Sequence, residues 1–227
     1  MKLKKAIKKT WISVLAKRIL YKKPKNNTFP GSENYWENRY KSNDNSGAGS
    51  YGRLAEFKAE VLNNFVLSNN IKSVIEFGSG DGNQLTLSSY RHYKGFDVSE
   101  TAINRCLEKF AKDKTKQFYM MGDKTQQDTK ADLILSLDVL YHLIEDKVFN
   151  KYMKRVFKAS NNYVIIYSSN YDNHFAPHVK CRKFTNWIEK NVSNDWELKK
   201  YIKNKYPFDE NRPDTTSMAD FYIYQRK

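Results

Sequence analysis

The chain has 227 residues, 40% of them hydrophobic and 15% aromatic, which suits one folded core with an appendage and excludes global disorder. No apolar run approaches the roughly 20 residues needed to span a bilayer. The formal net charge is +15, but ten Lys/Arg and no acid fall within residues 1–25, so the excess marks a basic arm and argues against a nucleic-acid footprint over the whole domain.

In that arm Ile7, Trp11, Val14, Leu15 and Ile19 recur at helical spacing between lysines. The pattern predicts a basic amphipathic helix, of the kind that lies on anionic membranes, packs on a partner or its own domain, or serves as a solubilising tail. Lys17 and Arg18 follow the short apolar segment where a signal peptide would need small residues, and Cys106 and Cys181 form no CxxC or zinc pattern. A cytoplasmic protein is expected, with peripheral membrane contact through residues 1–25 as an option. Tyr21–Ser32, with two prolines and two asparagines, reads as a linker.

Next comes a short aromatic helix carrying Tyr35, Trp36 and Tyr40, then a glycine-rich loop, Ser46 to Gly52. The helix after it presents Leu54, Phe57, Val61, Leu62 and Phe65 on one face, enough to cover a sheet. Three regions are expected: 1–30, an amphipathic helix and linker; 31–70, a helical cap or lid; and 71–227, the main domain.

From residue 72 strands and helices alternate. Strands are predicted at 73–78, 92–98, 116–122, 131–137 and 162–169, with helices at 82–89, 100–112 and 144–158. That order predicts an α/β fold with a parallel sheet and helices on both faces. After a helix at 184–191, strands at 196–203 and 219–226 predict a closing antiparallel hairpin at the sheet edge.

The first strand runs into the turn "EFGSGDG", residues 76–82. Its glycines alone leave a dinucleotide, a nucleoside triphosphate or a phosphate-free ligand open. Asn83-Gln84 replaces the Lys-Ser/Thr of a P-loop, and Asn83 stands where a dinucleotide fingerprint has its third glycine. Glu76 and Asp81 put carboxylates beside and inside the turn, which disfavours phosphate and suits a cationic ligand. S-adenosylmethionine, with its ammonium and sulfonium, is such a ligand.

Here the chain resembles the class I S-adenosylmethionine-dependent methyltransferases, whose E/D-x-G-x-G-x-G motif "EFGSGDG" matches. "YKGFDVSETAI" resembles their second motif, with Asp97 nineteen residues after Gly78. "MMGD", ending at Asp123, and "ADLILSLDVLYHL" resemble the segments at strands 3 and 4, and the likeness spans roughly residues 72–170. The resemblance implies a Rossmann-like, seven-stranded, mostly parallel sheet with a C-terminal antiparallel hairpin. It implies a ribose contact at Asp97, an adenine contact at Asp123 and a methionine-amino contact at Glu76. It further implies close backbone approach at Gly78 and Gly80, with Gly82 serving helix entry as much as binding. Ser79, Val98 and Leu137 complete the implied donor site, and S-adenosylhomocysteine is the implied product.

For a hydroxyl acceptor a base is needed. His142 is the candidate, with Asp138 four residues earlier and expected on the same face of a helical turn; alternatively His142 only packs under the cofactor. His174 and His178, in a loop after strand 5, are further candidates for substrate binding or base, or else surface residues; Pro177 argues against helical metal-ligand geometry, and no metal site is expected. Lys180, Arg182 and Lys183 suit an anionic acceptor or a solvated face. The expected acceptor is a small molecule or glycan methylated at oxygen, since the whole pattern is also similar to bacterial methyltransferases encoded among surface-polysaccharide genes. A nucleic-acid or protein methyltransferase, or a non-catalytic scaffold of the same fold, remains open.

Overall fold

The computed structural model describes residues 29–227; the basic amphipathic arm and most of the linker lie outside them. The first helix, α1, is Ser32–Lys41, and a single 3-10 turn, Ala48–Ser50, interrupts the loop that leads to α2, Gly52–Ser68. Strand β1 (Ser73–Phe77) is followed by β2 (His92–Asp97), α3 (Glu100–Lys109), β3 (Lys116–Met120), β4 (Ala131–Leu137), α4 (Asp146–Ala159) and β5 (Ser160–Ser168). A small hairpin, β6 (Asn173–Ala176) and β7 (Val179–Cys181), precedes α5 (Phe184–Asn191), β8 (Trp196–Ile202) and β9 (Asp220–Arg226).

The main sheet has seven strands in the order β3-β2-β1-β4-β5-β9-β8. β1 pairs in parallel with β2 and β4, β2 with β3, and β4 with β5, whereas β9 runs antiparallel to both β5 and β8. This is the expected Rossmann-like sheet with its reversed final strand. β4 reads as an unbroken apolar run, ADLILSL, because helices cover both faces of a parallel sheet. On one face Leu62 and Val66 of α2 and Ile103 and Cys106 of α3 pack against Val74, Leu133 and Leu135. On the other, Phe149, Met153, Val156 and Phe157 of α4 and Ile188 of α5 pack against Ile75, Ile134 and Val164.

Two expectations change. The helix predicted at 82–89 is only a four-residue 3-10 turn, Gln84–Leu87, because the Asn83 carbonyl takes both the Thr86 amide and the Thr86 hydroxyl, and the chain turns extended at Ser88. The loop carrying His174 and His178 folds instead as the β6–β7 hairpin. Among the described residues no helix is long and apolar enough to cross a membrane.

Candidate active site

A cavity of about 850 Å³ opens at the carboxyl ends of β1, β2 and β4, walled by the glycine turn, α1 with its following loop, and the β8–β9 connection. The turn is tight. Gly78, Gly80 and Gly82 have φ of +90°, +57° and +72°, and the amides of Gly78 and Ser79 both donate to the Phe96 carbonyl, at 2.7 and 3.0 Å. A Cβ on Gly78 would collide with Val139, and one on Gly80 with the Ser46 hydroxyl and the Tyr40 hydroxyl. Gly82 plays a different part, facing Phe110 and Cys106 so that the turn can sit on α3, and it does not line the cavity.

Asp97 ends β2 with its carboxylate accepting from the amides of Gly80 and Ser99, both at 2.9 Å. Burial pushes its carboxyl up. Ser79, Val98 and Leu137 line the cavity. Asp123 does not. Its carboxylate caps the short turn Lys124–Gln126, accepting from the Thr125 amide at 2.8 Å and hydroxyl at 2.7 Å, and Met120, Met121 and Gly122 form the cavity wall there.

Asp81, expected to face a cationic ligand, is a clasp. It accepts from the Ser46 amide (2.9 Å), the Tyr51 hydroxyl (2.8 Å) and the Asn83 amide (3.0 Å). Burial would raise its pKa, but these donors prevail and hold it below the usual range. The loop after α1 is thereby fastened onto the glycine turn. At the start of α1, the Ser32 amide and hydroxyl donate to Glu145 at 3.0 and 2.7 Å.

The cavity floor is charged. Glu76 is 5% exposed and accepts from the Tyr93 hydroxyl at 2.7 Å; burial, opposed by Tyr93 and by Lys58, pushes its carboxyl up to about 7. Lys58, 1% exposed, reaches from α2 to place Nζ 2.7 Å from Asp138 Oδ2. The Tyr141 hydroxyl donates to the other oxygen of Asp138 at 2.7 Å, and a Cβ on Gly49 would come within 2.8 Å of the same carboxylate. The expected Asp138–His142 pair on one helical face is therefore corrected. β4 is followed by a left-handed residue, Asp138 at φ +60°, and then by a 3-10 turn, Leu140–His142, and the carboxylate serves Lys58 and Tyr141.

His142 turns to the other wall. Its Nδ1 lies 3.0 Å from the His178 carbonyl; a carbonyl only accepts, so Nδ1 carries the proton and Nε2 keeps its lone pair. The His142 ring meets Trp36 edge-on at 4.8 Å and lies parallel to His178 at 6.1 Å, while His178 stacks on Tyr35 at 4.6 Å. Burial lowers both imidazoles to about 4, so they are neutral at neutral pH. His174, by contrast, is exposed on β6 and outside the cavity, its amide donating to Asn173. Lys180 and Arg182 both bind Asp146 at 2.7 Å, and Arg182 also reaches the Leu143 and Ile144 carbonyls, so neither awaits an anion in the cavity.

Sequence reasoning misses Lys58 and Tyr141. Lys58 carries a signal, since it lies four residues after Leu54 and four before Leu62, a lone cation in the apolar stripe of α2. The floor chemistry also fits the methyl donor implied by the motifs. Two carboxylates, Glu76 and Asp138, and the Lys58 ammonium line the floor and complement a ligand with two cationic groups and one carboxylate, and the buried Ser79 hydroxyl has no hydrogen-bond partner among the described residues. Among the described residues no group of three or more His, Cys, Asp or Glu could hold a metal ion.

Residues 49–212 match the model of a family described as a methyltransferase domain. No curated protein matches the sequence. Among solved structures the chain is similar to the N-methyltransferase NodS from Bradyrhizobium japonicum in complex with S-adenosylhomocysteine, at 15% identity, covering 86% of this chain and 98% of that one, with a TM-score of 0.66. It is also similar to magnesium protoporphyrin IX methyltransferase from Synechocystis with bound S-adenosylmethionine, at 13% identity, 89% and 100% coverage and a TM-score of 0.64. The methyltransferase domain of a bacterial Hen1 is 19% identical over 74% of this chain and 96% of that one, with a TM-score of 0.58. At these identities the structures establish the shared fold, and the match over 49–212 establishes membership: the chain belongs to the methyltransferase-domain family.

Proposed function

We propose that the protein transfers the methyl group of S-adenosylmethionine to a hydroxyl of a sugar, glycan or similar small ring-shaped acceptor. The carrying observation is the wall of Tyr35, Trp36, His142 and His178 beside the charged floor. Flat rings offer stacking area to a ring-shaped acceptor, and the fixed tautomer of His142 leaves Nε2 to accept a hydroxyl proton. The donor supplies a methyl already activated on a sulfonium, so the remaining work of the protein is to position and to move one proton. Glu76 suits the ammonium, Asp97 the ribose hydroxyls, and the bare Cα of Gly78 and Gly80 close approach. α1 and its loop form one wall of the cavity beside these groups.

The test is transfer of labelled methyl to a panel of free sugars, nucleotide-linked sugars and lipid-linked sugars, with the product atom located by NMR. An O-methylated sugar is the expected product. Transfer to nitrogen only, to nucleic acid or protein only, or to no acceptor despite donor binding would overturn the proposal. His142→Gln is expected to lower kcat by about 10²- to 10⁴-fold with S-adenosylhomocysteine affinity unchanged.

A further inference from the structure

We infer that Lys58 receives the amino-acid carboxylate of the methyl donor, sharing with it the ammonium that otherwise holds Asp138. The inference rests on the donor proposed above. A lysine 1% exposed within an apolar helix face must be balanced by opposite charge. The ammonium has three donors, and the one hydrogen bond described for it goes to Asp138; otherwise it lies 5.4 Å over the Tyr167 ring. Asp138 keeps a second donor in Tyr141, so its carboxylate stays hydrogen-bonded when Lys58 is shared.

The charges complement those of the ligand. With Glu76 ionised, as an arriving ammonium would favour, Glu76, Asp138 and Lys58 sum to one negative charge, and an ammonium, a sulfonium and a carboxylate sum to one positive charge. With the ligand's ammonium at Glu76, its carboxylate is one tetrahedral carbon away and needs a cation close by. The other cations on the cavity wall are engaged or remote from the floor. Arg39 donates to the Asn45 carbonyl and pairs with Asp44; Arg155 donates through Nη1 to the Met121 carbonyl just past β3 and lies over Phe77 and Phe96, so its buried, unpartnered Nη2 stands on the β2–β3 side rather than beside Asp138; Lys151 is exposed on α4. Lys58 lines the same cavity as Glu76 and places its Nζ 2.7 Å from Asp138, just past the end of the neighbouring strand β4.

Calorimetric titration of the full chain with S-adenosylhomocysteine and with its decarboxylated analogue, S-adenosyl-3-thiopropylamine, tests this without any acceptor. The wild type is expected to bind the analogue about 10- to 100-fold more weakly, the usual range for a hydrogen bond to a charged group. In Lys58→Met/Asp138→Asn, which removes both charges and leaves neither buried alone, the ratio is expected to fall to within about twofold. Asp138→Asn by itself removes the competitor for Lys58 and is expected to raise the ratio. Equal affinities in the wild type, a ratio retained in the double variant, or a falling ratio in Asp138→Asn would each overturn the assignment. Failure of S-adenosylhomocysteine to bind at all would instead overturn the proposed donor.

Discussion

The two walls of the cavity are built differently. The wall proposed for the donor comes from neighbouring strand ends: the turn after β1, Asp97 at the end of β2, Leu137 at the end of β4. Its decisive contacts are made by backbone amides, with Gly78 and Ser79 donating to the Phe96 carbonyl and Gly80 to the Asp97 carboxylate. The wall proposed for the acceptor is assembled from side chains distant in sequence, Tyr35 on His178, Trp36 on His142 and Ser32 on Glu145. A backbone cradle fixes one ligand shape and tolerates little change. A side-chain wall can be rebuilt residue by residue, which suits the variable half of a transferase.

The donor wall should therefore break first. Gly80→Val puts a β-branched residue at φ +57° and drives its Cβ into Ser46 and Tyr40, lifting the clasped loop. Titration with S-adenosylhomocysteine is expected to show at least about a hundredfold loss of affinity; retention within a few-fold would mean that the turn does not approach the donor.

Glu76→Gln has a smaller effect with a distinctive sign. Burial raises this carboxyl from 4.5 to about 7 in the folded protein. The folded state thus holds the proton more tightly than the unfolded chain, and stability is lost as pH rises from about 4.5 to 7, by about 3 kcal/mol in full above that window. The glutamine variant, whose carbonyl still accepts from Tyr93, is expected to melt higher than wild type at pH 8 and alike at pH 4.5. Its donor affinity should drop about tenfold and lack the tightening expected of wild type as pH rises through 7. A variant less stable at pH 8, or an unchanged pH profile of binding, would remove Glu76 from the ammonium site.

How far the sequence reveals each wall follows the same division. The sheet, its reversed last strand, Glu76, the turn and Asp97 are all carried by local pattern: apolar runs, glycines that need φ above zero, an acid at a fixed distance. Asp123 and Asp138 mislead, because an acid after a strand looks the same whether it caps a turn, pairs with a buried lysine or meets a ligand. Lys58 is hidden as one cation among apolar neighbours, and what it balances lies 80 residues away. The histidine wall depends on the β6–β7 hairpin, which sets His178 beside a residue 36 positions earlier, and no periodicity encodes that distance.

The acceptor wall should yield gradually. Trp36→Ala removes the ring that meets His142 edge-on, and the acceptor KM is expected to rise by about tenfold while S-adenosylhomocysteine affinity stays within twofold. Equal losses for both ligands would mean that Trp36 holds the cap closed rather than the acceptor in place.

The smallest effect should come from His174, which by sequence alone ranks with His178. The hairpin separates them: His178 stacks on Tyr35 over the cavity, while His174 stands exposed on β6. Its imidazole lines no part of the cavity, and the amide bond to Asn173 survives any side-chain change. His174→Ala is accordingly expected to leave kcat, both KM values and the melting temperature within error of wild type, whereas His178→Ala raises the acceptor KM. A loss of turnover in His174→Ala as large as in His142→Gln would require the hairpin to fold over the cavity during catalysis, and the fixed aromatic wall would give way to a moving one.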